Sequence, residues 1–569
     1  MSVIRIVLPI RALVAAGTAL TLAACATVAP TDTSATTDVQ LLALNDFHGN
    51  LEAPQSALRY RDANGLEQNT VLGGGAQMAT RLEQLRQGHK QTITVAAGDL
   101  IGASPLISAY YLDEPTVKAL TAMKLDLASV GNHEFDRSIN ELQRIQAGGC
   151  EQYTARQPCA LEPFGGAGFT YLAGNTVDDK GRTLFPGSAM RSFGDIRIGF
   201  IGLTLKETGN LTSAEGTRGY RFTDEAEAAN RFAAGLTAQG ADAIVLLIHQ
   251  GGDVTDRFQT EGCKGLTGPI VDIADRLDPS IGLVVSGHTH EAYACRITAS
   301  DGTVRTLTSA GRYAAFVTDI DLRFDTATKR VVSIDAKNIP VPADLPKEAK
   351  VAAIVDRYAA AIGPVGNRAV GTVSAGTGTE RDADCMDGAA EDFIADAQLF
   401  SARAGSTDGA DVAFINSGGV RTNFDAAGDG TLTYGEIFSM QPFGNSVEIL
   451  ELTGAQLTAT LESQFCDADA SKVCGTLLVP SANASYLVTP GQPIGSRVTA
   501  FRIDGQTVAP DRTYRVAVNN FLAAGGDGFT GFADGKSVGS GGIDVDAVER
   551  YLADGSIETP RCGRVRRAD

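Results

Sequence analysis

The chain has 569 residues, a formal net charge of −19, 43% hydrophobic residues, nine cysteines and no tryptophan. So acidic a surface repels polyanions, which argues against a protein that grips a nucleic-acid polymer, although local cations can still draw in a small phosphate ester. The length exceeds what a single hydrophobic core organises and predicts at least two domains.

In chain order, Arg5 and Arg11 flank the start of the apolar stretch Leu13–Leu22, and Ala23-Ala24-Cys25 follows. A basic region, a short apolar core and small residues describe a secretory signal over residues 1–24, too short for a stable membrane span. Cys25 behind Leu22-Ala23-Ala24 resembles a bacterial lipobox, which implies lipidation of that cysteine. Ala26, in place of an aspartate, points to outer-membrane sorting, so the expected location is the periplasm or cell envelope. Residues 25–38 read as a flexible tether.

From residue 39 to 340, β-like apolar runs alternate with amphipathic helices. The runs are Val39–Leu44, Ile93–Ala97, Leu125–Val130, Ile196–Ile201, Ala243–Ile248 and Ile281–Val285; the helices include Gln77–Gln87, Glu114–Met123 and Glu225–Ala238. This alternation predicts an α/β sandwich. Two prolines in Val341–Pro346, a helical run Lys347–Ile362 and then Gly363-Pro364 mark a linker over 341–365. A second α/β domain follows over 366–569, with helices Glu391–Phe400 and Gly454–Phe465 and strands Val412–Ile415 and Ser446–Leu452.

Five of the six histidines lie in short clusters that close these β runs: Asp46-Phe47-His48, Gly98-Asp99, Asn132-His133-Glu134-Phe135-Asp136, His249 and His288-Thr289-His290. Side chains gathered at the carboxyl ends of strands fit the usual site of an α/β sheet. His, Asp and Asn donors suit zinc, manganese or a related divalent ion. Seven of them are too many for one tetrahedral site and fit two ions sharing a carboxylate, a device for displacement at phosphorus. His89 has no such company and reads as a surface residue. Asp425, Asp429, Gly430 and Glu436 fall at EF-hand spacing, but Ala427 occupies a ligand position, so a glycine-rich turn into strand Thr431–Tyr434 is the better reading.

Without Cys25, eight cysteines remain, an even number that suits an oxidising compartment. Proximity favours Cys150–Cys159, Cys466–Cys474 and Cys263–Cys295, leaving Cys385–Cys562. None forms a CxxC pair, which argues against a cysteine-bound zinc.

Leu44-Asn45-Asp46-Phe47-His48-Gly49 and Val130-Gly131-Asn132-His133-Glu134-Phe135-Asp136 resemble the two signatures of the 5′-nucleotidase and UDP-sugar hydrolase family within the calcineurin-like metallophosphoesterases. Gly98-Asp99, His249-Gln250-Gly251 and Gly287-His288-Thr289-His290 resemble that superfamily's other blocks in their usual order. Asn416-Ser417-Gly418-Gly419-Val420-Arg421, Gln441-Pro442-Phe443-Gly444-Asn445 and the segment Asn520–Phe529 resemble the family's nucleotide-binding domain.

The resemblance implies a four-layer α/β/β/α sandwich joined by the helical linker to an α/β substrate-binding domain. It implies one metal on Asp46, His48 and His290, another on Asn132, His249 and His288, and Asp99 as bridge, the metals being zinc, manganese or cobalt. His133, oriented by Asp136, would stabilise charge during attack by a metal-bound hydroxide, while Glu134 only caps or pairs nearby. Arg381 and Arg421 would contact phosphate or ribose, Phe443 and Phe521 would stack on the base, Asp527 would bind ribose hydroxyls and Asn416 would assist. The expectation is therefore an exported, lipid-anchored, monomeric 5′-nucleotide phosphohydrolase that also accepts nucleotide sugars. Its alternatives are a 2′,3′-cyclic-nucleotide phosphodiesterase/3′-nucleotidase, a more distant sulfur-oxidation hydrolase, and a catalytically silent nucleotide-binding surface protein.

Overall fold

In the computed structural model of the chain, the described residues are 35–568, apart from 55–56, 63, 155, 213–215, 257, 375–384, 405–408, 424–428, 466–475, 556, 559 and 561–562. The expected signal, Cys25 and most of the tether lie outside them, as do Arg381, Asp425, Cys466, Cys474 and Cys562.

Strand Thr36–Leu44 shows why the first unit has layers. Its period of two sends Val39, Leu41 and Ala43 to one face and Leu42 and Leu44 to the other, and both sets are buried. The strand lies inside a six-stranded sheet, antiparallel to Phe316–Asp325 and parallel to Thr92–Ala97; Leu127–Ser129 and Thr170–Leu172 continue the parallel run. In a second six-stranded sheet, Ala243–His249 runs parallel to Ile196–Thr204 and Ile281–Ser286. The sheets meet through Leu41, Val95, Phe200, Leu247, Val285 and Phe324. Helices Gly75–Arg86, Glu114–Ala122 and Ile139–Ala147 cover the outer face of the first sheet, and Glu225–Ala238 and Pro269–Arg276 that of the second. The expected α/β/β/α order is present.

Helix Ala349–Gly366 follows, with buried Tyr358 bonded to Lys118 and Glu162 of the first unit. Gly363-Pro364 does not end this helix. A proline in the final turn removes one i→i−4 bond, and Asn367 N–H still reaches the Gly363 carbonyl at 2.9 Å. Beyond it, Thr513–Asn519 lies between Val412–Asn416 (parallel) and Ser446–Thr453 (antiparallel) in a five-stranded sheet. Thr453 and Gln456 cap helix Gly454–Glu462 reciprocally. Glu436 does the same with Thr433 for helix Tyr434–Met440, so this member of the EF-hand spacing serves a helix cap.

Disulfides join Cys150 to Cys159 and Cys263 to Cys295, as proximity favoured, and Cys385 is disulfide-bonded too. Among the described residues no helix is long and apolar enough to cross a membrane.

Candidate active site

The strand-end clusters converge. Asp46, His48 and His290 form one group able to hold a metal ion, and Asp99, His249 and His288 another, with ligand atoms inside each group within 4.8 Å of one another. Asp99 Oδ2 lies 3.0 Å from His249 Nε2 and 3.5 Å from His48 Nε2, so one carboxylate oxygen touches both groups. Asn132 Oδ1 is 3.1 Å from His249 Nε2, which brings it to the second group.

The backbone is bent to achieve this. Asp46, His48, Asp99, His288 and His290 all have φ between 45° and 73°. Each such residue costs roughly 1–3 kcal/mol, a strain that clusters at functional sites. Gly131 is held to glycine by close approach: a Cβ there would meet Asp99 Oδ1 at 2.1 Å.

The donor set fits divalent ions. His48 Nδ1 donates to the Gly102 carbonyl at 2.9 Å and His249 Nδ1 to that of Ala97 at 2.8 Å, which fixes the tautomers and frees both Nε2 atoms for a metal. His48 Nε2 and His290 Nε2 face each other at 3.3 Å, an arrangement a shared cation relieves. Burial and the charge of His249 push His288 down to about 3, leaving the neutral imidazole that ligates metals. Against burial, Asp99 and Asp46 lift His249 to about 10, so the field at this point calls for positive charge.

His133 stands beside the groups. Its Nδ1 lies 3.0 Å from Asp136, and its backbone N–H donates to Asp99 at 2.9 Å. Burial opposes protonation, but Asp136 and Asp99 outweigh it and hold His133 above its ordinary value. Glu134 is buried and accepts from the backbone N–H of Asp99, Leu100 and Gly131 at 3.0, 2.8 and 2.7 Å. It braces the loops and is not aimed at the cavity, as the sequence suggested. His89 is exposed, 3.6 Å from Asp321.

The second domain closes the site. Arg421 Nη2 reaches within 3.5 Å of His48 Nε2, and its buried Nε has no hydrogen-bond partner among the described residues. Phe443 stacks on the His133 ring at 5.7 Å. Phe521 packs against Gly526, where a Cβ would meet its ring at 2.5 Å. Asn416 donates to Asp527 at 2.7 Å and accepts from Asn519 at 3.1 Å. A cavity of about 810 Å³ is lined by His133 and Asp136 on one side and Arg421, Phe443, Phe521 and Asp527 on the other.

Two supporting residues were given no role by the sequence. Asn45 donates to Asp46 at 2.6 Å and to the Gly311 carbonyl at 2.7 Å, and accepts from the Ala310 N–H, fixing the Asp46 carboxylate. Tyr313 donates its backbone N–H to the Asp46 carbonyl at 2.8 Å and sets its ring beside His48 and His290. Their contacts are spatial: Asn45 lies inside the Leu44–Gly49 motif without a role readable there, and Tyr313 lies outside every motif.

Residues 39–292 match the calcineurin-like phosphoesterase family and residues 369–534 the 5′-nucleotidase C-terminal domain. The chain is 29% identical over 551 residues to the cell wall protein Lmo0130 of Listeria monocytogenes, covering 91% of this chain and 67% of that one. It is 28% identical over 540 residues to the endonuclease YhcR of Bacillus subtilis, covering 93% of this chain but only 41% of the relative's length. A 5′-nucleotidase precursor from Thermus thermophilus shares the fold, with a TM-score of 0.74 at 22% identity over 94% of this chain and 100% of that one. Calcineurin-like phosphoesterases use two divalent metal ions, and this chain carries two candidate sites for them. With both domain matches in sequence order, the chain belongs to the 5′-nucleotidase family of calcineurin-like phosphoesterases, which are metal-dependent phosphoester hydrolases.

Proposed function

We propose that the chain removes the 5′-phosphate from small nucleotides, using two divalent ions drawn from zinc, manganese or cobalt. Asp46, His48 and His290 would hold one ion and Asn132, His249 and His288 the other, with Asp99 shared between the two groups. The observation that carries this reading is the shared cavity, in which His133 and Asp136 face Arg421, Phe443 and Asp527.

When bound, the ions supply Lewis acidity at phosphorus and an acidified water. Arg421 takes a phosphate oxygen with its Nε, which has no hydrogen-bond partner among the described residues, in a charge-assisted bond. His133, held by Asp136, stabilises charge developing on phosphorus and the leaving oxygen. Phe443 and Phe521 stack on the base, and Asp527, steadied by Asn416, accepts from ribose hydroxyls. Arg381 keeps its proposed phosphate contact on sequence grounds alone. The proposed division is 39–340 for the metal domain, 341–365 for the hinge and 366–569 for the substrate domain. Export with a lipid on Cys25, outer-membrane location and a monomeric state complete the reading. Cys25→Ser should release the protein from the membrane fraction, and its retention there would reject the anchor.

Phosphate release from AMP, UDP-glucose, 3′-AMP and 2′,3′-cyclic AMP, after chelation and then with each metal, tests the function. The expected result is metal-dependent hydrolysis that favours AMP over 3′-AMP and the cyclic nucleotide. Preference for the latter two would establish the cyclic phosphodiesterase alternative, and no hydrolysis with any metal would leave a silent binding protein.

A further inference from the structure

The candidate metal ligands all lie at one end of the sandwich, which leaves its opposite end without a task. His249 closes strand Ala243–His249, whereas Ala243 and Ile244, at the start of that strand, line a second cavity of about 390 Å³. At about 3.3 Å per residue the two ends stand roughly 20 Å apart. Val304, Val331 and Val332 border this second cavity and are 56%, 37% and 58% exposed. A single exposed valine is ordinary. Three around one cavity floored by Leu283, Leu322 and Ile334 form a patch that a partner can cover.

Two further observations say what covers it. First, the chain enters the fold beside the patch. The Ala35 carbonyl accepts from the N–H and the hydroxyl of Thr326 at 2.9 and 2.7 Å, Thr36 pairs with Asp325, and the Asp325 N–H donates to the Arg330 carbonyl at 3.0 Å. Cys25, read above as lipidated, stands ten residues before Ala35, a span of at most about 36 Å. A lipid there keeps this end within reach of a bilayer, at an effective concentration that lets even a small apolar patch seat. Second, the rim suits an interface. Arg330 is exposed, forms no ion pair among the described residues and directly precedes Val331. Its stem can lie along apolar surface while the guanidinium meets lipid phosphate. Acids at this end are held by their own loops: Asp325 accepts from the N–H groups of Ala327 and Thr328, and Asp278 from that of Ser280.

We propose that the face bordered by Val304, Val331 and Val332 seats in the headgroup layer of a lipid bilayer, with the rim of candidate metal ligands turned away into solvent. The inference rests on the lipid-anchor reading above. So seated, the larger cavity opens on the aqueous side, where dissolved phosphate esters reach it.

The chain has no tryptophan, so a single introduced indole reports only its own surroundings. The full-length protein is reconstituted with phosphatidylcholine vesicles, plain or brominated in the acyl chains, as Val332→Trp, Val304→Trp and Leu58→Trp. The first two replace exposed valines and leave the core untouched; Leu58, 37% exposed and lining the larger cavity, is the control. Val332→Trp and Val304→Trp should shift to the blue and lose about half their emission or more to bromine, since a seated face lies about 5–10 Å into the boundary of headgroup and acyl chain. Leu58→Trp should do neither, and Val332→Asp added to Val304→Trp should restore the emission. Equal quenching at all three positions, or quenching of Leu58→Trp alone, would overturn the orientation. A blue shift without quenching would mean that a second copy of the chain covers the face, and would overturn the lipid. No shift and no quenching in protein that sediments with the vesicles would reject the face and leave the anchor standing. Protein that stays in the supernatant would remove the anchor reading, and the proposal with it.

Discussion

His133 and Asp136 sit three residues apart on a single turn, so the imidazole carries its orienting carboxylate with it. His133→Ala should lower kcat by about 10²–10⁴, the range for a positioned acid–base or charge-stabilising group, while bound metal stays near normal. Loss of a metal from that variant, read by elemental analysis, would make His133 a ligand instead. That Asp46, His48, Asp99, Asn132, His249, His288 and His290 gather in one place was legible because each closes a β run, and histidines seldom gather at strand ends by chance. The residues that hold them were not legible. Asn45 acts through the carbonyl of Gly311, 266 residues away, and Glu134 through three backbone N–H groups whose directions no sequence displays.

At the scale of elements, the second domain's loops carry the proposed substrate contacts. Phe443→Ala and Phe521→Ala should each weaken AMP hydrolysis about tenfold or more, on the scale of base–aromatic stacking, and barely affect p-nitrophenyl phosphate, which has no base. Equal losses on both substrates would mean the rings only pack. The Phe443 loop is itself tied down: Asp544 accepts from the Asn445 N–H at 3.1 Å, and burial pushes its carboxyl up to about 7. The folded carboxyl therefore keeps its proton where the unfolded chain has lost it. Its contribution to stability is complete below the unfolded value of 3.8 and disappears as pH rises through about 7. Denaturant unfolding at pH 5 and pH 8 should show a smaller drop in Asp544→Asn than in wild type; an unchanged drop would place the pH dependence elsewhere.

The ease of reading elements followed their chemistry. Helix Glu225–Ala238 was legible to its ends because Asp224 caps it and an apolar stripe repeats along it. Strands Phe316–Asp325 and Val331–Pro340 passed unmarked, since polar residues alternate through them and neither ends in a ligand cluster. Pro364 misplaced the end of the linker helix because a proline in a last turn breaks only one bond.

At the scale of the molecule, two sheets bring their strand ends to one rim, and a helix carries a second domain to face it. The candidate metal ligands come from loops after strands of both sheets, so bound ions would tie the two halves of the sandwich together. Divalent metal should therefore raise the melting temperature of chelated protein in proportion to its affinity for the folded state. An unchanged melting temperature at saturating metal would contradict that coupling.

We propose that this rim holds two ions sharing Asp99, and calorimetric titration of the chelated chain with Zn²⁺ decides the matter. Wild type should bind two equivalents, and Asp99→Asn should bind more weakly at both sites with hydrolysis nearly abolished. One equivalent or none in wild type, or two full-strength sites with full activity in Asp99→Asn, would contradict the account.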